Sequence, residues 1–286
     1  MSTNDIIEIY KGKSFFTQSR KRTTSVLAFD LDETLGSFVD LEVLWRWINS
    51  MKNNNISFNQ VLDLYPEFLR FGILHILEYL IQKKKQGLCD KIYIYTNNQC
   101  ESNLVELISK YFNYKLKTDG DIFDRTICAF KINGKNVELS RTTHKKTYSD
   151  FIKCTLLPKK TKICFIDNTY YPDMLNNRVY YIQPISYFHN MVTTNIIDRF
   201  LSSNLFDKLK SDNDNIIMKN DLIQTFSKYY NNYTIPNKMN IDILVAQKIM
   251  YHIKEFFYFS NRKIRTKKIK GQVGHFTRKN RKGGVQ

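Results

Sequence analysis

The run Ser25-Val26-Leu27-Ala28-Phe29 breaks abruptly into Asp30-Leu31-Asp32-Glu33-Thr34-Leu35-Gly36, and this junction restricts the fold more than any other feature of the chain. A short uninterrupted apolar run, bounded at once by acids and a glycine, is the pattern of a strand buried on both faces whose carboxyl end meets solvent. The arrangement recurs: KIYIY (91–95) runs into Thr96-Asn97-Asn98, and KICFI (162–166) runs into Asp167-Asn168. RVYYIQ (178–183) supplies a further strand.

Between these runs the apolar residues change to helical spacing. LEVLWRWINSM (41–51) reads as a helix, as does NQVLDLYPEFLRFGILHILEYLIQKKK (59–85), taken as one element that Gly87 stops. ESNLVELISKYF (101–112) reads as a helix with Ser102 as its cap, and KKTYSDFIKCTLL (145–157) as another. The stretch 123–143 holds short strands around the hairpin dipeptide Asn133-Gly134. Strands alternating with helices predict an α/β fold, a parallel sheet covered by helices on both faces. In such sheets ligands bind beyond the carboxyl ends of the strands, where all three polar clusters lie. Beyond about residue 205 only helices are expected, the clearest being the amphipathic NIDILVAQKIMYHIKEFFYFS (240–260), which is expected to dock on the main domain.

Asp30 and Asp32 are close enough to repel, and a divalent cation with oxygen ligands is the usual means of holding such a pair together. Magnesium favours carboxylates, water and phosphate oxygens, and Asp167 and Asn168 at the end of another strand complete a plausible ligand set. Each feature also has an ordinary explanation, as solvated loop acids, a strand-end hydroxyl or turn residues. All of these must hold together to remove the site.

At these residues the chain resembles the haloacid dehalogenase (HAD) superfamily. Asp30-Leu31-Asp32-Glu33-Thr34 fits the first signature, DxDx[TV], after an apolar strand; Thr96 fits the second; a lysine at a helix start fits the third; Asp167-Asn168 fits the fourth. That lysine is Lys145, Lys146 or Lys153, with Lys146 preferred because it opens its helix. The likeness covers residues 24–185 and is greatest to the FCP/SCP (NLI-interacting-factor-like) phosphatases, whose first motif, DLDETL, stands here unchanged. Two departures are Tyr65-Pro66-Glu67, where that group has Arg-Pro-Gly, and Thr169-Tyr170, where it has Ser-Pro.

The resemblance implies a HAD-like Rossmannoid three-layer fold with a small cap or none. It implies a magnesium-dependent phosphomonoester hydrolase in which Asp30 attacks phosphorus and Asp32 is the general acid and base. Thr96 and Lys146 hold phosphoryl oxygens, and Asp30, the Asp32 carbonyl, Asp167 and Asn168 hold the metal. Thr34, Asn97 and Lys145 are the expected substrate contacts. The expected organisation is an N-terminal arm (1–22), a phosphatase domain (23–205) with a small helical insert (38–63), a helical extension (206–260) and a basic disordered tail (261–286). A small insert leaves the site open to bulky phosphoesters: a phosphoserine or phosphothreonine protein, or in the alternative a nucleic-acid end. A second alternative is a binding protein that keeps the fold without turnover.

Composition narrows the remaining classes. At 42% hydrophobic residues, with 18 Tyr and 20 Phe against 10 Gly and 5 Pro, the chain has the make-up of a packed domain. No apolar window is long enough to span a membrane and the N-terminus lacks the order of a signal peptide, so an intracellular protein, cytoplasmic or nuclear, is expected. The five scattered cysteines are expected as buried reduced thiols, without zinc or disulfides. The formal charge is +17, much of it in a final segment that contains no acid; this tail is either a polyanion-binding element or a solubilising one. The enrichment in Asn, Lys, Ile and Tyr, together with the basic C-terminus, resembles proteins of large DNA viruses.

Overall fold

The computed structural model describes residues 6–17, 23–51, 55–100, 103–209, 215–229 and 239–261. The basic tail and Ser102 lie outside these residues. Five strands build the centre of the sheet: β2 (Ser25–Phe29), β3 (Lys91–Tyr95), β4 (Arg125–Ile127), β7 (Lys162–Ile166) and β8 (Val179–Pro184). All run parallel, and a sixth, β1 (Ile7–Lys11), pairs antiparallel with β8 at the edge. The order is β1-β8-β7-β2-β3-β4. A separate two-stranded hairpin, β5 (Lys131–Ile132) and β6 (Lys135–Asn136), turns at Asn133-Gly134 as expected.

The chain leaves central β2, adds β3 and β4 on one side, then returns to add β7 and β8 on the other. The strand order therefore reverses beside β2, and the crevice outside its carboxyl end is the position where such sheets place ligands. One face carries α1 (Val39–Ser50), α2 (Phe58–Leu64), α3 (Ile73–Lys85), α4 (Leu104–Lys115) and the later helices. Its core is built on Leu27, Phe29, Ile92, Ile94, Ile166 and Ile182. The other face is thinner: α5 (Tyr148–Thr155) places Phe151 and Cys154 against Val26, Ala28, Tyr95 and Phe165. Alternate residues of one strand thus enter different cores, which is why these strands read as unbroken apolar runs.

Three expectations change. The helix expected over 59–85 is divided into α2, a 3-10 turn (Pro66–Phe68) and α3. Pro66 supplies no N–H to a helix interior, and Gly72 takes φ 75°, a left-handed conformation that only glycine adopts without strain. The broken segment lets Leu69 pair with Gly36 and lets Phe68 pass so close that a Cβ at Gly36 would lie 2.4 Å from its carbonyl oxygen. The expected N-terminal arm is in part strand β1, whose Ile7 is buried and Glu8 exposed, an alternation suited to a sheet edge. The cysteine reading holds for Cys89, Cys154 and Cys164, which are buried thiols, but Cys100 and Cys128 form a disulfide. Adjacent strands β3 and β4 deliver those two residues to one place, a proximity that a sequence separation of 28 conceals.

The C-terminal helices close the larger core. α6 (Thr193–Leu201) buries Ile196, Ile197 and Phe200, and α7 (Asn204–Asp207) buries Phe206. α8 (Asn215–Ser227) lies against α1, where the Trp47 indole donates to Asp221 at 2.8 Å. α9 (Met239–Asn261) docks as expected, burying Val245, Ile249, Ile253 and Phe256 and joining Glu255 to Lys11 of β1 at 2.8 Å. No helix among the described residues is long and apolar enough to cross a membrane.

Candidate active site

The three strand ends that flank the reversal point bring their polar residues together. Asp30 follows β2, Thr96 follows β3, and Asp167 follows β7, each continuing the ladder by one main-chain bond: Asp30 N to Ile166 O at 2.9 Å, Thr96 N to Ile127 O at 2.9 Å and Asp167 N to Ile182 O at 3.2 Å. Lys146 arrives from the loop before α5. Thr147 caps that helix by accepting from Asp150 N at 3.0 Å, and this cap fixes where the preceding residue stands.

The Lys146 ammonium is fully buried and bridges two carboxylates, donating to Asp30 Oδ1 and, at 2.6 Å, to Asp167 Oδ2. The rings of Tyr95, Phe165 and Tyr171 lie within 6.0 Å of it. Burial alone depresses a lysine, yet the charges of Asp30 and Asp167 outweigh that effect, and the ammonium is held above its ordinary value. One cation cannot neutralise two carboxylates. Asp167, driven first by burial and also by the Asp30 charge, is raised even though it accepts from Lys146 and, at 2.8 Å, from Thr169 N. Asp32 is pushed up to about 6, chiefly by burial and further by the Asp30 charge, against the hydrogen bond it accepts from Asn98 Nδ2 at 3.2 Å.

Asp30, Asp32, Thr96, Lys146 and Asp167 are therefore gathered in one place. The lysine alternatives are separated: Lys145 is exposed, and Lys153 lies on the outer side of α5, 3.9 Å from Asp150. Asn168 is fastened rather than open. It accepts from Thr34 Oγ1 at 2.9 Å, and its Nδ2 donates to Glu33 at 3.1 Å and Ser186 at 3.0 Å. Thr34, expected at the substrate, is instead buried and consumed by Asn168, whose N donates back to its hydroxyl at 3.1 Å. Asn97 is exposed and tied to Arg141 and to the Tyr171 hydroxyl at 2.7 and 3.0 Å.

Two arginines that sequence patterning passes over shape this site. Arg141, in a segment that resembles a solvated loop, is buried and donates to the carbonyls of Thr96 (2.9 Å), Cys128 (2.7 Å), His144 (3.1 Å) and Lys145 (3.4 Å). It thereby ties the end of β3 to the loop that carries Lys146. Arg70 is equally buried and donates to the carbonyls of Glu33, Thr34 (2.6 Å) and Ile185 (2.9 Å), bracing the turn after Asp32 in which Glu33 takes φ 61°. Nothing in the sequence marks either arginine, because nearly all their partners are main-chain carbonyls. Asn98 was visible only as part of a polar strand end, whereas the structure gives it the Asp32 carboxylate.

A magnesium ion needs hard oxygen donors and negative charge beyond what the lysine offsets. Asp30, Asp32 and Asp167 set three carboxylates against one ammonium, so the donor chemistry fits such an ion. Among the described residues no three His, Cys, Asp or Glu side chains converge as an all-side-chain cage. The expected set draws on main-chain and amide oxygens as well, and magnesium is commonly held by one or two carboxylates with water and phosphate completing its shell. No family model, curated protein or solved structure matches the chain.

Proposed function

We propose that this chain is a magnesium-dependent phosphomonoester hydrolase with the chemistry of the HAD superfamily. The observation that carries the reading is the bridge from Lys146 to Asp30 and Asp167, three residues from separate segments meeting outside the strand-order reversal. A buried ammonium between carboxylates is costly as a purely structural device, and replacement by apolar residues is often neutral or stabilising. A site for a phosphoryl dianion accounts for its presence.

Asp30 Oδ2 accepts no hydrogen bond among the described residues, and it is the oxygen available for attack. It forms a bond to phosphorus as the ester P–O bond breaks, and the departing oxygen takes its proton from Asp32. With its carboxyl raised to about 6, Asp32 keeps a far larger protonated fraction near neutrality than an ordinary carboxyl does, as a general acid requires. Water then attacks the aspartyl-phosphate and gives a proton to Asp32; the P–Oδ bond breaks, phosphate leaves and Asp30 is restored. Lys146 and the Thr96 hydroxyl stabilise charge on the non-bridging oxygens throughout. Asp30, Asp167 and the Asp32 carbonyl would hold magnesium, with the Asn168 amide oxygen joining through the lone pair that Thr34 leaves free, and the bound ion would offset phosphoryl charge.

Hydrolysis of para-nitrophenyl phosphate by the purified chain tests this. The reading predicts activity that requires magnesium and falls about a thousandfold or more in Asp30→Asn, which keeps the side chain's shape and removes its nucleophilicity. Magnesium-dependent activity that survives Asp30→Asn contradicts the mechanism. A folded protein that binds magnesium and hydrolyses no phosphomonoester supports a non-catalytic binding role instead.

A further inference from the structure

A second polar concavity lies at the opposite end of the sheet. Lys159 stands three residues before β7 and Arg178 one residue before β8, while Lys13 follows antiparallel β1, so all three reach the amino-terminal end of the parallel strands. They line a cavity of about 430 Å³ with Ser14, Thr17 and Asn177 among its walls. Five residues of β7 separate this end from Asp167, roughly 17 Å at a strand's rise, so the cavity is distinct from the carboxylate site.

Its chemistry is one-sided. No Asp or Glu lines it, and among the described residues none of Lys13, Lys159 and Arg178 is in an ion pair with a carboxylate. Among the described residues the Arg178 guanidinium donates only to Lys160 O, at 3.2 Å. Ser14 Oγ is buried without a hydrogen-bond partner among the described residues. A fourth cation, Lys162, lies beside the same turn, 5.2 Å from the Phe15 ring, and donates to Phe259 O of α9 at 3.3 Å. Both strongly basic stretches of the sequence join the folded body at this pole. Thr17, in the cavity wall, is followed by Gln18-Ser19-Arg20-Lys21-Arg22, and α9, whose last turn reaches Lys162, is followed by Arg262-Lys263-Ile264-Arg265.

We propose that this pole binds a polynucleotide through its backbone phosphates, with Lys13, Lys159 and Arg178 as contacts on the folded body and the carboxylate cluster at the other end of the sheet. A guanidinium forks onto phosphate oxygens, and hydroxyl and amide groups in a concave wall complete the hydrogen bonding around a phosphodiester. An anionic membrane surface is a poorer fit, since it is flat and favours an apolar face beside the charge. Accumulated lysine and arginine drive such binding by releasing condensed counterions, so its strength must fall steeply with salt. This inference does not depend on the phosphatase reading.

The test is the salt dependence of binding of a fluorescently labelled DNA duplex to the full-length chain, by anisotropy, for the natural protein and for Lys13→Ala/Lys159→Ala/Arg178→Ala. Each lost phosphate contact removes about 0.9 from the slope of log K against log salt, so the triple variant is expected to lose roughly two to three units. Its circular dichroism and thermal midpoint, measured alongside, establish that it remains folded. An unchanged slope in a folded triple variant overturns the proposal and assigns any binding to the basic tail. Loss of cosedimentation with phosphatidylserine vesicles, together with unchanged duplex binding, overturns it in favour of a membrane.

Discussion

Asp30 and Asp32 lie two residues apart in sequence yet answer to different partners, which is what the proposed mechanism asks of a nucleophile and an acid. Asp30 is held by Lys146, whereas Asp32 is touched by the neutral Asn98 amide in a buried setting. Burial favours the protonated form of Asp32. The Asn98 hydrogen bond and, less strongly, the Lys146 charge keep Asp32 from rising further. In Asn98→Ala the lost hydrogen bond, worth roughly 1 kcal/mol, should raise the Asp32 carboxyl by up to about one unit. In the proposed mechanism the protonated form delivers the leaving-group proton, so the alkaline limb of kcat/KM for an alkyl phosphate should move upward in pH by the same amount. A limb that stays in place, or moves down, removes Asp32 from the acid role. The acids themselves were legible in the sequence because the strand before them is an unbroken apolar run. Asn98 was not, since its importance depends on where β3 ends relative to β2, a matter of register rather than composition.

The elements show the same contrast. Strands β2, β3, β7 and β8, the hairpin and helix α5 follow directly from apolar runs, turn dipeptides and helical spacing. The continuous helix expected over 59–85 failed at Pro66 and Gly72, where the apolar spacing persists through a break in the backbone. Pairwise tertiary contacts were equally hidden. Arg141 and the Cys100–Cys128 disulfide both join the loop after β3 to the segment after β4, and neither has a local signature. The disulfide also stands two residues from Asn98, whose Oδ1 accepts from Cys100 N at 3.0 Å. Closing a loop of 28 residues constrains the unfolded chain by about 2–4 kcal/mol. Cys100→Ser should therefore lower urea-unfolding stability by that order, and dithiothreitol should bring the natural protein to the same level. A variant as stable as the oxidised parent contradicts the cross-link.

At the scale of the whole molecule, α9 connects the two ends of the chain. It packs on β8 and on the turn after β1, and Lys11 meets Glu255 where both are partly exposed. Such an ion pair contributes about 1 kcal/mol at most, so the apolar face of α9 dominates its attachment. Truncating fully buried Ile253 to Ala should cost about 2–4 kcal/mol in global unfolding, read from the urea midpoint. A loss below about half a kcal/mol in a cooperative transition indicates a helix that unfolds separately. The sequence marked this helix as amphipathic, but its destination depends on which sheet edge β1 and β8 leave available. The same architecture presents the carboxylate cluster at one end of the sheet and the basic concavity at the other. The decisive question is whether Asp30 becomes phosphorylated. Acid-quenched turnover of a phosphomonoester with magnesium, followed by peptide mapping, should place one hydroxylamine-labile phosphoryl group on the peptide containing Asp30, and none in Asp30→Asn. Rapid magnesium-dependent hydrolysis with no acyl-phosphate on that peptide at any quench time contradicts it.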